Sequence, residues 1–229
     1  MTELITALDY SDAAQALESV DRIGNACQWY KVGKELFTAV GPSIVRDLEA
    51  RGKKVFLDMK YHDIPNTVSK AVHSAASIGA DLCNVHASGG HAMLVAAGEA
   101  ARESGILLVA VTVLTSMDAA ELASIGLDVS PQEQVKRLAL LTQECGIPGV
   151  VCSALELPII HQCCGENFVT VVPGIRPAGA SVDDQKRIMT PRQAAEAKAS
   201  FIVVGRPITK ADDPAKAAAA IAVECALKG

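Results

Sequence analysis

The chain has 229 residues, of which 50% are hydrophobic and only 3% aromatic, and it carries a formal net charge of −5. That length allows one large core built from Ala, Val, Ile and Leu, and the acidic balance argues against general nucleic-acid binding, which needs clustered positive charge. The longest uncharged apolar stretch, residues 104–117, falls short of the roughly 18–20 residues that span a bilayer. Met1-Thr2-Glu3-Leu4 lacks a basic-then-apolar secretory pattern, so no membrane association and a cytoplasmic location are expected.

Eight short apolar, β-branched runs follow in chain order, at residues 4–9, 30–34, 54–60, 82–87, 107–114, 149–154, 168–175 and 201–208. They recur about every 25 residues, the pace of a strand–helix unit. Helical start and stop signals lie between them. The clearest is Ser130-Pro131-Gln132-Glu133, with Ser at the N-cap, Pro at the first helical position and Glu placed to complete a capping box, ending at Gly146. Gly41-Pro42 to Gly52 and Thr190-Pro191 to Ala199 repeat the logic. No hairpin signal or linker interrupts the alternation, which implies parallel strands. The expected fold is α/β, a single (β/α)8 TIM barrel whose catalytic domain spans residues 1–229. An open doubly wound sheet is the competing arrangement, but it usually carries a Gly-rich nucleotide turn after its first strand. This chain has Ala7-Leu8-Asp9-Tyr10-Ser11-Asp12 there.

Reactive groups in parallel barrels sit at the C-terminal strand ends, and the charges on these apolar runs cluster there. Asp9 ends strand one, Lys31 and Lys34 lie on strand two, Asp58 and Lys60 end strand three, and Arg206 lies late in strand eight. Strand alternation puts Phe56, Asp58 and Lys60 on one face and Leu57 and Met59 on the other. With the apolar pair toward the helices, Asp58 and Lys60 point into the barrel mouth. A structural ion pair is the plainer reading of Asp-x-Lys, yet buried ion pairs are weak devices for stability, and several at the same strand ends favour chemistry. Lys31 on a barrel strand is costly to bury unless it snorkels to solvent or has a carboxylate partner, and Asp9 and Asp58 flank it. The expectation is a Lys31–Asp58–Lys60 row of alternating charge, extended by Asp63.

A second cluster begins at Pro173-Gly174-Ile175-Arg176 and stays polar through Gln185 to Thr190, which reads as a loop. With Gly205-Arg206 it falls where barrels commonly bind phosphate. Glycines let backbone N–H groups approach oxygen, and arginine matches phosphate bidentately. His73 and His161 lie in predicted helices and read as surface or packing residues. His62, His86 and His91 lie nearer the mouth and could join Asp58 or Asp63 around a metal. They lack HxH or HExxH spacing, however, and Lys31 and Lys60 would repel a cation, so no metal is expected. Seven cysteines without CxxC spacing read as reduced core or helix residues.

Taken together these residues resemble the orotidine 5′-phosphate decarboxylase family, in its compact bacterial form, over nearly the whole chain. The matching segments are Ala7-Leu8-Asp9, Lys31-Val32-Gly33, Asp58-Met59-Lys60-Tyr61-His62-Asp63-Ile64-Pro65-Asn66-Thr67, Val113-Leu114-Thr115-Ser116, Val151-Cys152-Ser153-Ala154, Pro173-Gly174-Ile175-Arg176 and Val204-Gly205-Arg206-Pro207-Ile208. The resemblance implies cofactor-independent conversion of orotidine 5′-monophosphate to uridine 5′-monophosphate and carbon dioxide, the last step of de novo pyrimidine nucleotide synthesis. Its length suggests a stand-alone enzyme. In the implied scheme Lys60 protonates C6, Asp58 lies beside the departing carboxylate, and Lys31 holds Asp58 and contacts the ribose with Asp9. Ser153 matches the serine at the pyrimidine amide edge, and Thr115 lies at the dimer-facing mouth. Gln185, Gly205 and Arg206 match the phosphate grip, with Arg176 at the loop base. Asp63, Ile64 and Thr67 reach into a neighbouring subunit's site, which implies a two-fold homodimer.

Two rivals stand beside that reading. A sugar-phosphate decarboxylase or aldolase on the same scaffold shares the Asp-x-Lys-x-x-Asp segment but uses magnesium, held by an acidic residue on strand two where this chain has Lys31. A non-catalytic phosphate-binding barrel would need no intact Asp9, Lys31, Asp58, Lys60 and Asp63, yet all five are present.

Overall fold

The structure is a computed structural model, which describes residues 1–177 and 189–226. Eight parallel strands close into a barrel in chain order: β1 (Glu3–Leu8), β2 (Trp29–Gly33), β3 (Lys54–Tyr61), β4 (Leu82–His86), β5 (Leu107–Val111), β6 (Gly149–Val151), β7 (Val169–Val172) and β8 (Phe201–Val204). Closure is made by β1 pairing with β8, Glu3 opposite Phe201 through Thr6 opposite Val204. The open-sheet alternative is thereby excluded. The helices between strands include α1 (Ala13–Ile23), α2 (Lys34–Val40), α3 (Ser43–Glu49), α4 (Pro65–Ser77), α5 (His91–Ser104) and α6 (Ala119–Ser124). They continue with α7 (Pro131–Glu144), α8 (Leu157–Cys164), α9 (Pro191–Glu196), α10 (Arg206–Thr209) and α11 (Pro214–Ala226). Among the described residues no helix is long and apolar enough to cross a membrane.

The period-two alternation of the strands builds two apolar layers. Inward residues, among them Ile5, Trp29, Phe56, Leu82, Val171 and Phe201, fill the barrel. Outward residues such as Tyr30, Leu57, Cys83 and Leu108 pack under the helices. Two aromatic residues meet at the base of the barrel: the Trp29 and Phe201 rings lie edge-on at 5.3 Å, and the Trp29 indole Nε1 donates to Glu3 Oε2 at 2.8 Å. The N-terminal end is thus plugged, and the row of charged side chains lies at the C-terminal mouth.

Several expected boundaries shift. Strands five to eight end at Val111, Val151, Val172 and Val204, earlier than the apolar runs that carry them. The surplus apolar residues, such as Val113, Leu114, Cys152 and Pro173, line the cavity above the strands instead. Lys34 is not on strand two but opens α2, and Arg206 is not on strand eight but opens α10 after Gly205. The Ser130 hydroxyl accepts from the Glu133 N–H at 3.2 Å as predicted, but the Glu133 carboxylate takes Arg137 Nε at 2.8 Å rather than closing a box. Complete capping boxes occur instead at Thr190 with Gln193 and at Ser153 with Glu156. All seven cysteines are free, and burial pushes the Cys83 thiol up to about 12, so it packs as an inert apolar group.

Candidate active site

The mouth is organised by Asp58, a buried carboxylate near the end of β3. Its Oδ1 accepts from Lys60 Nζ at 2.5 Å, and its Oδ2 lies 3.5 Å from Lys31 Nζ on β2. Lys31 in turn reaches Asp9 Oδ1, just past β1, at 3.3 Å. The expected row is therefore real and begins one residue earlier, as Asp9–Lys31–Asp58–Lys60. Burial alone would raise the Asp58 pKa, but the two ammonium groups, with hydrogen bonds from Lys60 and Asn84, hold it below its usual value.

Strand parity places Asp58 inward above Phe56, while Leu57 is fully buried on the helix side. Lys60 reaches the same side by a different route. Between the pairs Leu57–Cys83 and Tyr61–Val85 the register of β3 shifts against β4, and Lys60 takes a left-handed conformation with φ 54°. Such a φ is uncommon for a residue with a side chain. The irregularity is held by Asn84, whose Oδ1 accepts from the Lys60 main-chain N–H at 2.7 Å while its Nδ2 donates to Asp58 Oδ1 at 2.8 Å. Sequence reasoning passed over Asn84 because it is uncharged.

A cavity of about 230 Å³ opens beside these groups, lined by Lys31, Phe56, Asp58 and Lys60 on one side. Its remaining wall is mostly apolar, including Val111, Val151, Val171 and Val203, with Thr115 and Ser116 at the polar edge. Ser153 follows the lining residue Cys152 and is itself buried, its hydroxyl accepting from Leu155 N–H at 3.4 Å. Its N–H donates to the buried Glu156 carboxylate at 2.8 Å, which fixes the turn that carries it.

The phosphate-side residues are only partly gathered. Gly205 is close enough to Asp9 that a Cβ there would meet Oδ2 at 3.3 Å, so the ends of β8 and β1 converge beside Arg206. Arg176 is buried; one guanidinium nitrogen donates to the Ile175 carbonyl at 3.0 Å, and its Nε has no partner among the described residues. Gln185 lies outside the described residues.

Asp63 does not extend the row. After Tyr61 the chain turns to enter α4, and the exposed Asp63 carboxylate accepts from the Ile64 N–H at 2.7 Å. Ile64 is 67% exposed, and Thr67 is also exposed. None of the three lines this chain's own cavity. Of the histidines, His62 and His86 stack obliquely with ring centroids 5.7 Å apart. Burial, then His62, Lys34 and Lys60, lowers the His86 pKa. His91 starts α5, His73 pairs with Glu103 at 3.3 Å, and the buried His161 ring nitrogens have no hydrogen-bond partner among the described residues. Among the described residues, no group of three His, Cys, Asp or Glu side chains is placed to hold a metal ion.

An apolar-walled cavity with two ammonium groups around one carboxylate can orient a charged substrate, stabilise a carbanion and supply a proton. Comparison with known proteins finds similarity to decarboxylases over nearly the whole chain. The profile of the orotidine 5′-phosphate decarboxylase / HUMPS family matches residues 2–221. A protein of Vibrio atlanticus (strain LGP32) named orotidine 5′-phosphate decarboxylase is 54% identical over 222 residues, covering 96% of each chain. A second, from Sodalis glossinidius (strain morsitans), is 52% identical over 224 residues, 96% of this chain and 89% of that one. Among solved structures, orotidine 5′-phosphate decarboxylase from Lactobacillus acidophilus superposes with a TM-score of 0.89 at 36% identity, covering 99% of this chain and 100% of the other.

Proposed function

This chain belongs to the orotidine 5′-phosphate decarboxylase / HUMPS family, and from that premise we propose that it converts orotidine 5′-monophosphate to uridine 5′-monophosphate and carbon dioxide in pyrimidine biosynthesis, without a cofactor. The observation that carries the reading is Asp58 held between Lys31 and Lys60 at the rim of a cavity whose other walls are apolar. The bond from C6 to its carboxylate breaks, carbon dioxide leaves, and the electron pair stays on C6. Lys60 then transfers an ammonium proton to that carbon. With the substrate seated, the Lys60 charge acts on the developing carbanion in a site walled from water, where a fixed charge is worth more than in bulk solvent. Asp58 beside the departing carboxylate disfavours the bound substrate relative to the transition state, in which that negative charge has dispersed. The apolar wall accepts the uncharged product gas.

Substrate positioning is assigned as follows. Lys31 and Asp9 hold the ribose, Ser153 the pyrimidine edge, and Thr115 the mouth. Gly205, Arg206, Gln185 and Arg176 hold the phosphate. A grip on the phosphate, remote from C6, supplies binding energy for orientation at the reacting carbon. Asp63, Ile64 and Thr67, which are exposed and do not line their own cavity, complete the site of a neighbouring copy in a cytoplasmic homodimer, the whole of residues 1–229 serving as one catalytic unit.

The family also includes sugar-phosphate enzymes, and an ammonium on β2 separates the two readings: Lys31 already neutralises Asp58, leaving no unbalanced acidic pair for magnesium. The test is carbon dioxide release from orotidine 5′-monophosphate with chelator present, for wild type and Lys60→Ala. Wild type should turn over unaffected by the chelator, and the variant should lose at least about a thousandfold in kcat while still binding uridine 5′-monophosphate. Undiminished activity of Lys60→Ala would remove that residue from the mechanism, and chelator-sensitive turnover of a ketose phosphate would favour the rival.

A further inference from the structure

Asn84 stands in the middle of the apolar strand β4 and is 0% exposed. A carboxamide there is costly unless its donors and acceptor find partners. Both partners belong to the reacting groups: the Lys60 main-chain N–H at 2.7 Å and Asp58 Oδ1 at 2.8 Å. An N–H can be met only by the amide oxygen and a carboxylate only by the amide nitrogen, so the orientation of the amide is fixed by the chemistry.

The need for such a bridge is visible in the strand register. Asp58, Met59 and Lys60 lie between the paired residues Leu57 and Tyr61, while only Asn84 lies between their partners Cys83 and Val85. Lys60 therefore has no regular ladder partner on β4, and its φ of 54° is one that a β-strand residue does not adopt. The side chain of Asn84 replaces the missing ladder acceptor. We infer that Asn84 is a positioning residue for the decarboxylation, one that sets the reach of the Lys60 ammonium by tying the Lys60 main chain to the Asp58 carboxylate. The inference rests on Lys60 as the proton donor and Asp58 as its partner. It explains why the amide is neutral: an aspartate at 84 would set a second carboxylate at hydrogen-bond distance from Asp58, and two such groups cannot both ionise freely. The charged and titratable groups around this position are Asp58 and Lys60 from β3, Lys31 from β2 through Asp58, and His86 two residues along β4.

Protonated, an aspartic acid at 84 has the shape and the donor–acceptor pattern of the amide; ionised, it has lost the donor and repels Asp58. The experiment measures kcat and KM for orotidine 5′-monophosphate between about pH 5 and pH 9 for wild type, Asn84→Ala and Asn84→Asp, with binding of uridine 5′-monophosphate as a folding control. Asn84→Ala should lower kcat about 10- to 100-fold while KM moves by less than about threefold. For Asn84→Asp the ratio of its kcat to that of wild type should climb as pH falls, a response that simple destabilisation would not produce. Wild-type kcat in Asn84→Ala, or a ratio for Asn84→Asp that is flat with pH, overturns the role of Asn84; if Asn84→Ala does not fold, Asn84→Asp decides alone. A wild-type protein that releases no carbon dioxide overturns the assigned reaction instead, so the two failures are distinguishable.

Discussion

Asp58 is under opposed influences. Burial favours its neutral form, whereas Lys31 and Lys60 favour the carboxylate and prevail, leaving the pKa below its ordinary value. For a carboxyl group whose folded pKa is depressed, the stabilising contribution is fully present above the unfolded value of about 3.9 and is lost as pH falls through the folded value. Lys31→Ala takes away one of the two ammonium groups and leaves the burial, so the Asp58 pKa must rise. The acid limb of the kcat profile for Lys31→Ala is therefore expected at higher pH than that of wild type, and urea denaturation across the same range should show acid destabilisation beginning earlier. An acid limb that does not move would mean that Lys31 does not set the ionisation of Asp58. Asp9, Lys31, Asp58 and Lys60 are legible in the sequence because charges on apolar strands are conspicuous and strand parity sorts them by face. Asn84 carries no charge, and its signal is subtler: it shares a strand face with inward Leu82 as Asp58 shares one with inward Phe56. Asp63 departs from the row because the chain leaves β3 at Tyr61 to begin α4, a turn that strand parity cannot follow.

The strands themselves are recognisable as apolar runs, but where pairing stops is not written in hydrophobicity. Residues after β5 to β7 stay apolar where they wall a cavity, so the same composition serves ladder and loop, and the runs read too long. Local cap chemistry is more exact: Ser130-Pro131 and Thr190-Pro191 begin α7 and α9 as their hydroxyls and rings require. Strand β6 is the shortest of the barrel and has a further constraint at Gly149, where a Cβ would lie 2.3 Å from the Val169 carbonyl oxygen on β7. That contact is with backbone, which cannot rotate aside. Gly149→Ala must therefore spread β6 from β7, and a loss of about 2–3 kcal/mol is expected in equilibrium urea unfolding. Because Val151 and Val171 at the same strand pair line the cavity, nucleotide binding by the folded fraction should weaken as well. Wild-type stability in Gly149→Ala would show that the two strands can separate without cost.

At the scale of the molecule, eight strand–helix alternations imply closure, and the structure closes β1 on β8. What one chain cannot express is the surface formed by Asp63, Ile64 and Thr67. Within the chain these side chains are exposed, Ile64 at 67%, next to the Asp63 carboxylate. If this segment completes a neighbouring site, the two halves of the Asp58–Asp63 motif act in different barrels: Lys60 in its own and Asp63 across the interface. Lys60→Ala and Asp63→Ala homodimers should each be inactive, yet a mixed dimer restores one site, which pairs the wild-type Lys60 of one subunit with the wild-type Asp63 of the other. With equal amounts and random exchange, half the dimers are mixed and one site in two is intact in each, so recovery should approach about one quarter of wild-type activity. Exchange is followed independently by differently tagged subunits. Demonstrated exchange with no recovered carbon dioxide release would confine Asp63 to its own barrel, where its side chain accepts from the Ile64 N–H, and the shared site would have to be abandoned.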